Sequence, residues 1–353
     1  MVTGLGPVPF ARDGHPRPSK IPIHPKPFVA YHSFFFLLKE ARMPKRTSPI
    51  CSRLYLPTLV LLLISHSAMA QESKTVVLEL DHASVCGSNL DALRQVFTDV
   101  GLTPDVGGAH GNGMTQMALL GFDDGTYLEL IAPVKPGAAA GSDWAKYMSD
   151  DAVTCAWAVG SNVLLQEADR LKKAGIPVTV PERGSRKRPD GMSIEWTTAD
   201  VGSGTPGSTL PFIIEDETPR AWRVQTSAGL QGAPVSGIEY IVLGVNNLDA
   251  SIALFRKAYG WADPLTETQK DIGKLAYFPG EPVILAAPSG GGWLSEHLAK
   301  YGETPVAYLL ATRDLPAASK KYRLSGGRTW FGQKTAWFDV GKLKGVRLGV
   351  IGQ

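Results

Sequence analysis

The sequence predicts an α+β fold made of four successive βαβββ units. The segment NLDA at residues 89–92 returns 158 positions later at residues 247–250, and each copy follows an apolar strand and opens a helix. The same order of an apolar strand and an amphipathic helix begins again near residues 153 and 304. Four copies at a spacing of roughly 70–80 residues indicate an internally repeated chain.

The first unit shows each element of this pattern. Residues 76–85 are largely apolar and β-branched, as in a buried strand. Asn89 is a preferred N-cap residue for a helix that ends near Gly101. The apolar residues on one face of this helix are Leu93, Val96, Phe97 and Val100. Strands at 115–122 and 126–132 follow, joined by an Asp-Asp-Gly turn that is typical of a hairpin.

The other three units repeat the pattern. The second has a strand at 153–159, a helix at 162–174, and strands at 193–198 and 210–214. The third spans 237–288, with a helix at 248–259. The fourth spans 304–351, with a helix at 315–324 and strands at 335–340 and 346–351. The Pro, Gly and Ser content predicts a loop at 202–208 and a linker between the halves at 227–235.

The N-terminal region predicts an exported protein. Residues 43–53 carry several Lys and Arg, residues 54–64 are apolar, and Ala68-Met69-Ala70 completes the pattern of a secretory signal peptide at 43–70, cleaved after Ala70. The apolar run is about half of the roughly 20 residues that a membrane span requires, so an uncleaved anchor is the less favoured alternative. Residues 1–42 are interpreted as an over-extended or disordered start. We therefore predict a periplasmic or secreted protein with no stable membrane span after cleavage.

The charge balance gives no electrostatic basis for binding nucleic acid or anionic lipid. The whole chain has 36 Lys and Arg against 33 Asp and Glu, and residues 1–70 hold nine of the former and two of the latter. The rest of the chain carries 27 basic and 31 acidic residues, a formal charge of −4. Its 283 residues suffice for two domains, which we predict at 75–220 and 236–353.

Cys86 and Cys155 are the two cysteines that follow the predicted cleavage site. Both lie on predicted strands, where a buried free thiol is common, and this is the favoured interpretation. The alternative is a disulfide, which an oxidising compartment permits.

Two polar residues on apolar strands mark a candidate site. His82 lies on the first strand of the first unit, and Glu129 lies on its last strand between two leucines. A buried carboxylate is costly unless a metal, a cation or a proton accompanies it. The third unit has Tyr240 and Ile284 at the corresponding positions, so the candidate site belongs to the N-terminal half. A satisfied core histidine, and a structural pairing of Glu129 with Arg or with His82, are the alternatives.

These residues resemble the vicinal oxygen chelate superfamily, in particular its glyoxalase-like domains. The resemblance rests on Leu80-Asp81-His82, residues 107–110 (GGAH), Thr115, residues 124–130 (DGTYLEL), residues 186–191 (RKRPDG), Trp196 and residues 211–214 (PFII). It implies βαβββ units that pair into two cupped mixed sheets of the glyoxalase/bleomycin-resistance/dioxygenase type. It also implies metal ligands on the first and last strands of each unit, where His82 and Glu129 lie. The second unit departs from this pattern because those two strands carry no His or carboxylate.

His110 supplies a third candidate ligand if its glycine-rich loop folds over the cup. His82, His110 and Glu129 then form a two-histidine, one-carboxylate set suited to a divalent metal such as Zn, Fe, Mn or Ni. Alternatively, His110 is a general base, a substrate contact or an exposed loop residue. Glu129 is also a candidate catalytic residue, as a proton-transfer base near the α-carbon of a substrate.

Four further residues are candidates for substrate binding. Arg186 and Arg188 belong to the basic run 183–188, which is either a solvated loop or the source of an arginine that turns inward to hold a carboxylate or enolate oxygen. Trp196 is a candidate for a pocket wall, with core packing as the alternative. Tyr127 is a candidate for polar lining.

The sequence therefore predicts an exported glyoxalase-like protein that binds a small molecule, as a monomer or a homodimer. The resemblance implies a lyase, isomerase or dioxygenase, in which a divalent metal polarises adjacent oxygens of the substrate. The alternative is a non-catalytic binding or sequestration protein of the bleomycin-resistance type, in which aromatic residues supply the affinity. No nucleotide cofactor is expected, because the sequence has no glycine-rich phosphate loop.

Overall fold

Two eight-stranded sheets organise the chain. The computed structural model describes residues 78–353, so the predicted start at 1–42 and signal peptide at 43–70 lie outside the described residues. Within 78–353, the order strand, helix and three strands occurs in four successive segments. The strands of the first half close into a barrel, and those of the second half form a curled sheet that stays open. The predicted α+β class with two cupped mixed sheets is confirmed.

The first half provides the closed sheet. Its strands are β1 Leu80–Cys86, β2 Asp105–His110, β3 Thr115–Gly121, β4 Tyr127–Pro133, β5 Val153–Gly160, β6 Glu182–Lys187, β7 Ser193–Ala199 and β8 Phe212–Asp216. Its helices are α1 Leu90–Thr98, α2 Leu164–Lys173 and α3 Arg220–Arg223. Short 3-10 helices span Tyr147–Ser149 and Ala228–Leu230.

The second half provides the open sheet. Its strands are β9 Gly237–Gly244, β10 Leu265–Gln269, β11 Gly273–Tyr277, β12 Val283–Ala287, β13 Thr304–Thr312, β14 Ser325–Trp330, β15 Gln333–Trp337 and β16 Leu348–Gly352. Its helices are α4 Leu248–Tyr259, α5 Trp293–Tyr301 and α6 Leu315–Tyr322. The helices predicted around residues 90, 164, 248 and 315 are all present.

Strand pairing joins neighbouring units. In the closed sheet the order is β1-β4-β3-β2-β6-β7-β8-β5, so the first unit pairs with the second. Parallel pairing of β1 with β4, antiparallel pairing of β1 with β5 and a short β2–β6 seam complete the ring. The open sheet has the order β10-β11-β12-β9-β13-β16-β15-β14, which leaves β10 and β14 as its two ends.

The alternation of side chains along each strand divides the closed sheet into two faces. One face packs with the helices in the main core, and Ala83, Leu128 and Leu130 on it are fully buried. The other face points into the barrel and carries the polar residues His82 and Glu129. Helix α1 begins where predicted, because the Asn89 side chain accepts a hydrogen bond of 2.9 Å from the Ala92 amide.

Two segments predicted as loops are strands. His110 was placed in a glycine-rich loop, but it is the last residue of β2, which pairs with β3 and β6. The basic run at 183–188 was interpreted first as a solvated loop, but residues 182–187 form β6. Arg186 of this strand is buried, at 4% exposed, and its predicted contact with a carboxylate or enolate oxygen stays a prediction. Pairing across the seam outweighs the weak strand propensity of glycine and of charged residues.

Cys86 and Cys155 form a disulfide, with their Cα atoms 5.9 Å apart. The favoured prediction of free thiols is therefore wrong. The antiparallel pairing of β1 with β5 brings the two cysteines together, and the sequence separation of 69 residues conceals this proximity.

The two sheets share buried polar contacts, and residues 78–353 belong to one compact unit. The Tyr308 hydroxyl of β13 lies 2.7 Å from the Ser84 carbonyl oxygen and 3.0 Å from that of Ala156. Thr154 donates a hydrogen bond of 2.5 Å to the carbonyl of Pro305. Between residues 78 and 353, none of the helices has the length and apolar character needed to cross a membrane.

Candidate functional site

The candidate site lies on the inner face of the closed sheet. Register places Ser84 of β1 opposite Glu129 of β4, and His82 two residues earlier points to the same face. His110, at the end of β2, approaches Glu129 from the opposite side. The structure therefore brings together the three residues that the sequence singled out as metal ligands, and it adds Ser84.

Glu129 is surrounded by hydrogen-bond and charge partners. Ser84 donates a hydrogen bond of 2.9 Å to Oε2, and His110 Nε2 lies 3.4 Å from Oε1. Burial alone raises the pKa of this carboxyl, but the hydrogen bond and charge of His110, together with His82 and Ser84, lower it to about 2. Glu129 is therefore ionised near neutral pH. Its side chain keeps 11% of its surface exposed, so the carboxylate is in contact with solvent.

His82 faces Glu129 across an unbridged gap. Its Nδ1 lies 2.6 Å from the Asp81 carboxylate, which can only accept, so Nδ1 carries the hydrogen. In a neutral ring Nε2 is then an acceptor, and it faces Glu129 Oε2 at 3.8 Å, beyond hydrogen-bond distance. Two acceptors that face each other are favourable only if a proton or a cation lies between them.

Asp81 is held by two arginines that follow the closed sheet. Arg223 binds both of its carboxylate oxygens, at 2.8 and 2.9 Å, and Arg220 also contacts it. Burial raises the pKa of Asp81, but the hydrogen bonds and charges of Arg223 and His82 hold it well below its usual value. Asp216 binds Arg223 in turn. This network fixes the ring orientation of His82, in the way that second partners orient metal-binding histidines.

His110 is oriented at both ring nitrogens. Its Nδ1 lies 2.7 Å from the Thr115 hydroxyl, and its Nε2 faces Glu129. Trp196 stands edge-on to the ring at 6.1 Å between centroids. The His110 side chain is 13% exposed, so it lies at the accessible side of the cluster.

Two observations bear on metal binding. No group of three or more His, Cys, Asp and Glu side chains within residues 78–353 has the spacing of a metal site. The His82–Glu129 pair nevertheless has the donor chemistry for a cation, because metal bonds of about 2.0–2.2 Å from nitrogen and oxygen span such a gap. His82 and Glu129 are thus the two candidate metal ligands that face each other, and His110 stays a predicted third ligand.

The four predicted substrate-binding residues occupy different places. Tyr127 is buried, stacks on His82 at 4.6 Å and accepts a hydrogen bond from Arg223, so it supports His82. Trp196 is half-buried beside His110 and packs with the apolar group around Phe212. These two residues adjoin the candidate site.

The two arginines are engaged elsewhere. Arg186 donates to the carbonyls of Gly107 and Arg223, at 2.6 and 2.5 Å, so these hydrogen bonds tie β6 to β2 and α3. Arg188 pairs with Asp190 at 2.8 Å and donates to the Trp222 carbonyl, on the outer side of the seam. Both guanidiniums are held by these partners, although the charge of Glu129 still acts on that of Arg186.

Sequence reasoning missed Ser84, Asp81, Phe212 and Arg223. Ser84 shares a face with His82 by strand alternation, so the signal was present. Asp81 is a charged residue within an apolar strand, which indicates a buried partner. Arg223 carries no local signal, because 142 residues separate it from Asp81.

Comparisons with known proteins agree with this architecture. A family model described as a glyoxalase-like domain matches residues 80–260. A hypothetical protein from Staphylococcus aureus has a similar solved structure, with 13% identity, a TM-score of 0.53, and coverage of 78% of this chain and 99% of that chain. At that identity the likeness shows the fold alone. No curated protein is similar enough to match.

Two enzymes are also among the similar solved structures. Methylmalonyl-CoA epimerase from Mycobacterium tuberculosis is 19% identical over 34% of this chain and 89% of that chain, with a TM-score of 0.30. A xylose isomerase-like TIM barrel/4-hydroxyphenylpyruvate dioxygenase fusion protein is 10% identical over 79% of this chain and 49% of that chain, with a TM-score of 0.48.

Proposed function

This chain belongs to the glyoxalase-like domain family of the vicinal oxygen chelate superfamily, and from that premise we propose that its closed sheet is an enzyme site for a small molecule with adjacent oxygen atoms. The reaction class is a lyase or isomerase that moves protons, with dioxygenase chemistry as the family's other option. The observation that carries the proposal is the pair of acceptors, His82 Nε2 and Glu129 Oε2, that face each other at 3.8 Å in a reachable interior.

The chain's own residues prepare this pair. Asp81 holds His82 with Nε2 towards the interior, and Ser84 holds the Glu129 carboxylate opposite. A divalent metal bound there supplies Lewis-acid polarisation of the substrate's oxygens. His110 Nε2 lies 3.4 Å from the Glu129 carboxylate at the accessible side of the cluster, so it is placed to contact a bound molecule.

Metal content of the purified chain tests the cation part of the proposal. Prepared without chelator and incubated with Zn, Mn, Fe or Ni, the wild type is expected to retain about one ion per chain by mass spectrometry of the elements. His82→Ala and Glu129→Gln should lose that ion. His297→Ala is the matched control, because His297 lies on α5 in the other half, and it should keep the ion. A folded wild type that binds none of the four metals would refute the Lewis-acid role.

Turnover is tested separately with dicarbonyl compounds, their thiol adducts and catechols. Glu129→Gln is expected to reduce any activity found at least 100-fold, because the amide carries no negative charge and cannot accept a proton as the carboxylate does. Full activity in Glu129→Gln would show that the reaction occurs elsewhere.

Binding without turnover is the second candidate function. The observation that favours it is the aromatic and apolar wall that Trp144, Trp196 and Phe212 form beside His82 and His110. A metal-free protein that binds a ligand through this wall, and loses it in Trp196→Ala but not in Glu129→Gln, would support sequestration.

We also propose that the protein is exported after cleavage of a signal peptide. The Cys86–Cys155 disulfide supports it, because such bonds persist in oxidising compartments. Intact-mass measurement of the protein from its native host should give a chain that begins at Gln71. A chain that retains residues 43–70 would contradict cleavage after Ala70.

A further inference from the structure

The open sheet of the second half encloses a cavity that the candidate site does not use. Its volume is about 450 Å³, within the range of pockets that bind small organic molecules. Trp330 of β14, Trp337 of β15 and Trp293 at the start of α5 line it, and Arg347 stands at its wall. The sequence analysis assigned this half no ligand, because Tyr240 and Ile284 replace His82 and Glu129.

Trp330 and Arg347 are the two lining residues that indicate what this cavity binds. Trp330 is 1% exposed, yet its indole N–H meets no acceptor in the described part of the chain. The indole nitrogen itself has almost no accessible surface, so Trp330 presents its ring and not its N–H to the cavity.

Arg347 is the second of these residues. Its guanidinium carbon lies 3.7 Å from the centre of the Trp293 ring, which is cation–π stacking. Burial lowers the pKa of this half-buried guanidinium, and no Asp or Glu among residues 78–353 forms an ion pair with it. Five N–H donors therefore stand at the cavity without a carboxylate.

The other charges that line the cavity are already compensated or exposed. Asp271 pairs with Arg328 at the rim. Asp339 is exposed, and its Oδ1 accepts from the Lys342 amide. The cavity therefore presents aromatic walls, Arg347 as its one arginine without a carboxylate partner, and the exposed Asp339 as its one carboxylate without a cation.

We propose that this cavity binds an aromatic carboxylate, with its carboxylate on Arg347 and its ring against the tryptophans. A guanidinium fork matches a carboxylate in two parallel hydrogen bonds, and stacked or edge-on tryptophans suit a flat ring. This site shares no residue with the His82–Glu129 pair, so it does not depend on the function proposed above.

Calorimetric titration of the full chain with 1-naphthoate tests the proposal, and 1-naphthalenemethanol serves as the uncharged probe with the same ring. Naphthoate is expected to bind one per chain, at least tenfold more tightly than the alcohol. Arg347→Gln should weaken naphthoate at least tenfold and leave the alcohol unchanged. Trp330→Ala removes one aromatic wall of the cavity and should weaken both probes severalfold.

Three controls keep the outcome decisive. Arg313→Gln removes an exposed arginine outside the cavity and should bind like the wild type. Glu129→Gln should also bind normally, which separates this site from the other. If Arg347→Gln fails to fold, Arg347→Lys keeps the charge without the fork and is expected to bind several times more weakly. Equal affinity of the two probes, an unaffected Arg347→Gln, or no binding at millimolar naphthoate would each overturn the proposal.

Discussion

Asp81 illustrates how one buried charge sets the chemistry of its neighbour. It has no exposed side-chain surface, and two arginines of unequal burial hold it. Arg223 is 3% exposed, whereas Arg220 is 39% exposed. The two residues therefore form a matched pair for measuring what burial adds to an ion pair.

Arg223→Met should destabilise the protein by about 3–5 kcal/mol, because it leaves a buried carboxylate short of its main partner. Arg220→Met should cost about 1 kcal/mol or less, since exposed ion pairs contribute little. Urea unfolding of both variants measures the difference. Similar losses in the two variants would mean that Arg220 alone can neutralise Asp81.

His297 on α5 predicts a pH dependence of stability. Burial first, then the charges of Arg347 and Lys300, lower its pKa to about 4. The unfolded chain binds this proton below pH 6.5 and the folded chain only near pH 4, so stability is lost as pH falls through that window. The loss is up to about 3 kcal/mol for a shift of this size. His297→Phe should show a smaller loss between pH 6.5 and 4 in denaturant titrations; an unchanged slope would refute this.

Sequence reasoning reached only part of the site at this scale. Strand alternation was sufficient to pair His82 with Glu129, because both positions follow from the repeat. The partners that orient them, Asp81 with Arg223, are joined by the closure of the sheet and by α3. No local pattern encodes a contact between residues 142 positions apart.

At the scale of elements, the β2–β6 seam closes the first sheet with only two residue pairs. Gly108 makes this approach feasible: its φ is +106°, and an added Cβ would lie 2.0 Å from the Lys187 carbonyl oxygen. Gly113 also has a positive φ, but an added Cβ meets no atom within 4 Å among the described residues.

Gly108→Ala should therefore cost about 2–4 kcal/mol, because strain and a backbone clash combine. Gly113→Ala should cost about 1–2 kcal/mol, from the left-handed backbone alone. Thermal and urea unfolding compare the two. Equal costs would show that the seam can separate without penalty.

The Cys86–Cys155 disulfide is a covalent cross-link within the closed sheet. It joins β1 to β5 across 69 residues of sequence, which corresponds to about 4 kcal/mol in the chain-entropy description. The double substitution Cys86→Ala with Cys155→Ala should lower the free energy of unfolding by about this amount under oxidising conditions. With a reductant present, wild type and double variant should converge, and a persistent difference would point to packing instead of the cross-link.

Two of the strands that sequence reasoning missed, β2 and β6, form that seam. A Gly-Gly pair in one and a run of charges in the other oppose strand formation locally. Their strand conformation comes from pairing with each other and with β3 and β7. Helices and apolar strands were predictable because their own periodicity reports burial, whereas these strands depend on neighbours.

At the scale of the whole molecule, Tyr308 links the two sheets. Tyr308→Phe should lower the free energy of unfolding by about 1–2 kcal/mol, because it removes a hydroxyl that lies within hydrogen-bond distance of carbonyl oxygens on β1 and β5. Tyr322→Phe is the matched control, since its buried hydroxyl has no partner among residues 78–353 and its loss should be neutral or stabilising. Fluorescence and circular dichroism should follow one transition in both variants. Two separated transitions would mean that the halves unfold independently.

The different endings of the two sheets have a consequence for self-association. The closed sheet offers no free strand edge, whereas β10 and β14 end the open one. Side chains of β10 cover the far end of β14: Gln269 donates to the Thr329 carbonyl and Glu267 accepts from the Phe331 amide, each at 2.9 Å. Those backbone groups are the template that a strand of another molecule would need for edge-to-edge aggregation. Glu267 and Gln269 therefore occupy backbone groups that would otherwise be available to a strand of another molecule. This protection is found in the half whose sheet stays open.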